Sequence, residues 1–388
     1  MRLNMRYQGL EYKIPFNKPY LTNRELRYIK QAHSLGQLAG NGYYTKKCQE
    51  WIEKNIGAKK VLLTHTCTSA LEMSAILGGF GPKDEIIMPS FTFVTTASAF
   101  VLRGAVPVFV DVRADTLNIN EDLIAEAITP KTKAIMVVHY AGVGCEMDKI
   151  NEIAKKHKLL VLEDAAQAYL AKYKGKYLGT IGDIAAVSFH ETKNIISGEG
   201  GAILINNEKF IEPAEIVWEK GTNRNKFLRG EVDKYTWVDI GSSYLPSEMV
   251  AAFLFAQLEK SEKIIRKRKE VWNIYHEKLF SFEKAGYLRR PIVPEECEHN
   301  GHIYYILLDN LATRTKLIDF LKRRGILSVF HYIPLHSSPA GKRFCRFAGK
   351  LNVTNRTSDT LLRLPLFYEI TDKEIEYITQ SLGDFFRK

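Results

Sequence analysis

The sequence predicts an α/β fold, with a large domain built on a mixed, mostly parallel sheet and a smaller C-terminal α+β domain. Three observations carry this. Strand-length apolar runs alternate with amphipathic helical stretches through the first two thirds of the chain. A long helical stretch then precedes a mixed tail. The length of 388 residues, 45% of them hydrophobic, suits one large and one smaller packed unit.

The predicted strands are Lys60–Thr64, Glu85–Pro89, 106–112, 134–139, 159–163 and 185–189, and the run from Gly200 to Ile205 closes the series. Helical patterns over 68–77, 96–102, 121–127 and Met147–His157 lie between several of them. Such a rhythm places helices on both faces of a parallel sheet. A helix over 247–280 is expected to link the two domains, divided as 1–246 and 247–388. The smaller domain is expected to hold strands at 303–308 and 327–332 and helices at 316–323 and Asp372–Phe386.

Composition excludes several classes. No run of about 18 apolar residues exists, so no membrane-spanning helix is expected. The basic start Met1-Arg2-Leu3-Asn4-Met5-Arg6 lacks the apolar stretch of a secretory signal. Five cysteines without CxxC spacing point to reduced thiols in the cytoplasm, with no disulfide frame and no metal site. The net charge of +11 is spread along the chain. It reads as a lysine-rich surface or a basic cleft for an anion such as a nucleotide diphosphate. No zinc-finger spacing, aromatic-basic RNA motif or basic tail supports nucleic acid as a partner.

Four motifs fall at successive strand ends. Thr64-His65-Thr66-Cys67-Thr68-Ser69 opens a helix with small hydroxyl residues, which suits a phosphate or a plain N-cap. In Pro89-Ser90-Phe91-Thr92-Phe93-Val94-Thr95-Thr96 an aromatic ring can stack on a flat cofactor or fill the core. Glu163-Asp164-Ala165-Ala166-Gln167 ends a strand with an acid that can face a ligand crevice or cap a helix. Ser188-Phe189-His190-Glu191-Thr192-Lys193-Asn194 places Lys193 before the glycines of Gly198-Glu199-Gly200-Gly201. An uncharged amine there can form a Schiff base. Taken alone, a lysine after a strand is usually surface charge; the ordered set of four is what points to a pyridoxal-phosphate (PLP) enzyme.

From Ile14-Pro15-Phe16-Asn17 to Arg363-Leu364-Pro365-Leu366-Phe367-Tyr368 the chain resembles the DegT/DnrJ/EryC1/StrS sugar aminotransferase family, which has the fold-type I PLP architecture. Within the family a closer likeness is carried by Met88 to Val94, Val138-His139-Tyr140-Ala141-Gly142, Ser188 to Asn194, Glu219-Lys220-Gly221-Thr222-Asn223-Arg224, Val232 to Trp237, Asp239 to Leu245 and Phe330 to His336. The resemblance implies Lys193 as the cofactor-bearing catalytic residue and Asp164 as partner of the pyridine nitrogen. It implies Gln167 near the ring hydroxyl, Phe93 against the ring, and Thr66, Cys67 and Ser188 around the phosphate. Ser243 stands where many members carry an asparagine that reaches the neighbouring subunit's cofactor. His331 and Tyr332 match substrate-side positions. Asn223, Arg224, Arg229 and Lys234 form a polar segment that suits a diphosphate or a solvated loop.

The resemblance further implies a homodimer with shared active sites and L-glutamate as amino donor, with pyridoxamine phosphate formed between the half-reactions. The closer likeness is to members that aminate C4 of TDP-4-oxo-6-deoxyglucose, giving the galacto product, for enterobacterial common antigen synthesis, a lipopolysaccharide-related pathway. Competing readings are an aminotransferase for a C3 ketone, another epimer or a UDP-linked sugar, a non-catalytic PLP-binding regulator, and a nucleotide-sugar binding protein without cofactor.

Overall fold

The computed structural model describes residues 6, 7 and 10–387; the basic start, residues 1–5, lies outside them. The first helices are α1 (Glu25–Ser34) and α2 (Tyr43–Ile56). Seven strands follow: β1 (Lys60–Thr64), β2 (Glu85–Pro89), β3 (Val106–Val110), β4 (Thr132–Val138), β5 (Leu160–Asp164), β6 (Ile184–Ser188) and β7 (Gly201–Ile205). Helices α3 (Cys67–Leu77), α4 (Val94–Val101) and α5 (Met147–His157) connect some of these strands. The remaining main helices are α6 (Glu248–Leu258), α7 (Ser261–Lys278), α8 (Leu311–Arg323), α9 (Asn352–Thr360) and α10 (Asp372–Phe386). Among them lie strands β8 (Tyr304–Leu307), β9 (Arg346–Phe347) and β10 (Leu361–Leu364).

The large sheet runs in the order β9-β3-β2-β4-β5-β6-β7-β1. All its pairs are parallel except those of β7, which runs antiparallel to β6 and β1. Alternate residues of each strand feed two cores, one per face. Val61, Leu63, Ile135, Val137 and Val161 pack toward α2, α5 and α6. Leu62, Ile86, Met88, Met136 and Ile203 pack toward α3 and α4. Strands buried on both faces must be apolar throughout, and these read as continuous runs for that reason.

A third core, with Val271, Tyr275, Ile306, Leu317, Leu362 and Ile378, joins α7, α8 and α10 to the antiparallel pair β8 and β10. Two expected elements differ here. The long helix is broken, because Lys260 leaves helical torsions (φ −116°, ψ 6°) between α6 and α7. The two halves bury different partners: Leu254 and Leu258 enter the large core, while Val271 and Trp272 enter the small one. The predicted strand at 327–332 is also not a regular strand. Its start bonds to the N-terminal segment (Leu327 N–H to Ile14 O, 3.0 Å) and Val329 bridges Arg363, so its pairing is split between two partners. The regular partner of β8 is Leu361–Leu364, whose lone arginine breaks the apolar run. Among the described residues no helix is long and apolar enough to cross a membrane.

Candidate active site

A cavity of about 660 Å³ opens at the carboxyl ends of the parallel strands, where open α/β sheets place their ligands. Asp164 is the last residue of β5 and is 5% exposed. Thr96 Oγ1 donates to its Oδ2 (2.7 Å) and Ala166 N–H to its Oδ1 (3.1 Å). Thr92 Oγ1 lies 2.8 Å from Thr96 Oγ1, so α4 and the turn before it hold the carboxylate in place.

Lys193 sits in the turn after β6, its N–H donating to His190 O (2.9 Å), and its side chain lines the cavity. Burial lowers its pKa most; Arg363 lowers it further, against opposing effects of Cys67 and Asp164. The net downward shift favours the neutral, nucleophilic amine.

Thr66 caps α3, its Oγ1 accepting from Ser69 N–H (3.1 Å), and Cys67 opens the helix. The first N–H groups of a helix have no intrahelical acceptors and favour an anion. Ser188, ending β6, also lines the cavity. Gly201 is required beside this turn: a Cβ there would meet Cys67 N at 2.4 Å and Thr66 C at 2.5 Å.

Phe93, half exposed at the start of α4, faces the cavity with its ring 6.5 Å from that of Tyr332. Phe91 instead is core, 5.3 Å from the Tyr140 ring. Gln167 is fixed at both ends of its amide: Oε1 accepts from Ala141 N–H (2.8 Å) and Nε2 donates to Tyr332 OH (2.7 Å). His331 stacks on Tyr332 at 3.6 Å and its Nδ1 bonds Tyr140 OH at 2.7 Å. Burial pushes the Tyr332 phenol up and His331 well below its ordinary range.

The structure thus gathers Thr66, Cys67, Phe93, Asp164, Gln167, Ser188, Lys193, His331 and Tyr332 at one cavity. It does not bring Asn223, Arg224, Arg229, Lys234 or Ser243 into it. Asn223 Oδ1 accepts from Thr236 N–H (2.8 Å), Arg224 pairs with Glu219, and Arg229 pairs with Glu215 (2.7 Å) and Glu231 (2.6 Å). Lys234 and Ser243 are exposed on the same outer segment, and Ser243 bridges Glu219. In a single chain the charges of Arg224 and Arg229 are already satisfied.

Sequence reasoning passed over Thr96, Arg268, His302 and Arg363, all at or beside the cavity. Thr96 and Arg363 stood in quoted motifs without a role; a lone arginine inside Leu361-Leu362-Arg363-Leu364 is a readable signal. Arg268 lies in a basic helix where nothing in the pattern separates it from Arg266 or Lys267.

These residues fit a flat, phosphorylated pyridine aldehyde. A buried carboxylate can face the ring nitrogen, a helix start can take the phosphate, and Phe93 is available to a ring face. Lys193 supplies the amine.

The sequence profile of the DegT/DnrJ/EryC1/StrS aminotransferase family matches residues 19–383. The chain is 37% identical over 341 residues to the uncharacterized protein MJ1066 of Methanocaldococcus jannaschii, covering 86% of this chain and 88% of that one. It is 29% identical to the GDP-perosamine synthase of Escherichia coli O157:H7, covering 96% and 98%. The Streptococcus pneumoniae protein Spr1654, assigned as a sugar aminotransferase and solved in its PLP form, superposes with a TM-score of 0.88. It is 26% identical, over 96% of this chain and 98% of that chain. Fold, cavity and profile agree: the chain belongs to the DegT/DnrJ/EryC1/StrS aminotransferase family, and its cofactor is pyridoxal phosphate.

Proposed function

We propose that this nucleotide-sugar aminotransferase moves the amino group of L-glutamate to C4 of TDP-4-oxo-6-deoxy-D-glucose, giving TDP-4-amino-4,6-dideoxy-D-galactose. The observation that carries the reaction class is the convergence of Lys193, Asp164 and the start of α3 on one cavity. The C4 position, the galacto product and the TDP group rest on the sequence resemblance.

Bound pyridoxal phosphate supplies an electron sink for the carbon that loses its proton. Lys193, with its pKa lowered by burial, is the base that takes the proton from Cα of the donor and later returns one to the sugar carbon. The side from which its Nζ delivers that proton sets the configuration of the new amine. Asp164, fixed by Thr96 and Ala166 N–H, would present its carboxylate to the ring nitrogen. Tyr332, anchored through Gln167, and His331, anchored through Tyr140, shape the wall against which the sugar lies.

The active unit in this reading is a homodimer in the cytoplasm. Exposed apolar side chains beside the 223–234 segment support it: Trp237 is 77% exposed, and Val238 and Ile240 about half. Asn223, Arg224, Arg229, Lys234 and Ser243 then serve the partner's cavity, with Ser243 in the role that asparagine has in other members. The five unpaired cysteines favour a reducing compartment.

The test is turnover of TDP-4-oxo-6-deoxyglucose with L-glutamate, with the product's C4 configuration read by NMR. An axial 4-amine with stoichiometric 2-oxoglutarate is expected. A GDP-linked sugar is the second reading, favoured by the similarity to a GDP-perosamine synthase. Turnover confined to GDP- or UDP-linked sugars, or to 3-oxo sugars, would replace the proposed substrate.

A further inference from the structure

Arg268 and Arg363 are two cations in the cavity wall. Arg268, on α7, is 4% exposed. Its Nε donates to Gly301 O (3.1 Å) and its Nη2 to His302 O (2.7 Å) and Leu366 O (3.3 Å). Arg363, on β10, donates through Nε and Nη2 to Phe330 O (3.2 and 2.9 Å) and lies 4.7 Å from the centre of the Phe16 ring. Every acceptor is a neutral carbonyl. Among the described residues neither arginine has a carboxylate partner, and neither Nη1 donates to protein.

An enclosed guanidinium without a counter-ion is destabilising unless a ligand completes it. Burial brings the Arg268 pKa down to about 9 and lowers that of Arg363 as well. His302 and His331 beside them are held well below their ordinary range by burial first and by neighbouring cations next. They stay neutral, so the fixed charge on this wall is that of the arginines. The cavity's own carboxylates are engaged elsewhere: Asp164 by Thr96 and Ala166 N–H, Glu199 with His190 at 3.5 Å.

We propose that Arg268 and Arg363 together form the carboxylate site of the amino donor, binding both its carboxylates and selecting a dicarboxylic over a monocarboxylic amino acid. This rests on glutamate being the donor. A nucleotide diphosphate is the other polyanion within reach. It is flanked by bulky groups on both sides, whereas Arg268 at 4% exposure suits the free end of a small acid. Arginine is the side chain suited to this, since its planar fork matches a carboxylate.

The PLP-loaded enzyme is titrated with glutarate, butyrate and TDP, following the cofactor absorbance, and the half-reactions with L-glutamate and L-alanine are followed without sugar. Charge-assisted hydrogen bonds of this kind predict a roughly 100-fold preference for glutarate over butyrate in the wild type. Arg363→Gln and Arg268→Gln are each expected to lose most of that preference, to slow the glutamate half-reaction by about 100-fold, and to bring the glutamate-to-alanine ratio close to one. TDP affinity should stay within about threefold. Arg268→Lys keeps the charge inside the helix packing and should retain part of the preference.

Wild-type glutarate affinity in both glutamine variants would overturn the proposal. So would loss of TDP binding with glutarate binding intact, which would assign the arginines to the diphosphate. Equal losses for all three ligands would assign them to the scaffold. Neither readout contains the keto sugar, so failure of the proposed sugar substrate is seen separately in the turnover assay.

Discussion

Glu163→Gln is expected to destabilise the fold by about 3–4 kcal/mol, from two buried donors at about 1–3 kcal/mol each. Glu163 precedes Asp164 on β5, points to the opposite face of the sheet and is fully buried. Its Oε1 accepts from Ile181 N–H (2.8 Å) and Gly182 N–H (2.5 Å), and its Oε2 from Gly179 N–H (2.7 Å) and His139 Nε2 (2.8 Å). His139 Nδ1 accepts from Cys145 N–H (3.2 Å), which places the ring proton on Nε2. A glutamine amide must turn its NH2 toward one of these pairs of donors. In one orientation it orphans Ile181 and Gly182 N–H; in the other it orphans Gly179 N–H and opposes His139. Burial raises the Glu163 pKa, but the His139 hydrogen bond and the backbone donors outweigh it and hold the carboxyl below its ordinary value. The wild-type contribution is therefore present above the unfolded value of about 4.3 and is lost as pH falls through the lower folded value. Urea unfolding of wild type and variant at pH 7, followed by tryptophan fluorescence, measures the difference. A variant within about 0.5 kcal/mol of wild type would refute the account of this buried carboxylate.

Lys193→Ala should abolish transamination while leaving thermal stability nearly unchanged, because the amine faces the cavity and holds no other element in place; measurable turnover would name another base. Asp164→Asn should lower the rate by orders of magnitude, and a near-normal rate in a steady-state assay would show that the ring nitrogen is held elsewhere. Thr96→Val removes the 2.7 Å donor to Asp164 and should cost roughly tenfold in rate, against the much larger loss in Asp164→Asn. Trp237→Ala combined with Ile240→Glu should shift sedimentation from dimer to monomer and reduce activity in parallel; a fully active monomer would refute the shared-site arrangement.

Much of the large domain was legible from local pattern. Lys60–Thr64 and Glu85–Pro89 occur with the boundaries that their apolar runs imply, as does Met147–His157. Strands covered on both faces leave an unbroken hydrophobic signature. The cavity residues Thr66, Phe93, Asp164 and Lys193 were legible because each sits at a strand end, where an apolar run stops. The small domain was less legible. The segment at 327–332 has strand composition, but Leu361–Leu364 won the pairing with β8, a choice made by contacts far apart in the chain.

What the sequence by itself determined was the order of elements and the set of groups delivered to one edge of a parallel sheet, since periodicity and strand ends are local properties. Only the tertiary structure decided which cations face the cavity. Arg268 comes from a basic helix in which no neighbour marks it, and Arg363, though set apart by its apolar strand, carries no sign in sequence of what it faces. Packing of α7 and β10 around the third core leaves both at the cavity with no carboxylate partner among the described residues, while Arg224 and Arg229, equally plausible in sequence, are paired outside it with Glu219, Glu215 and Glu231. Charge compensation depends on which side chains meet in space, and that is set by long-range packing that no local pattern encodes.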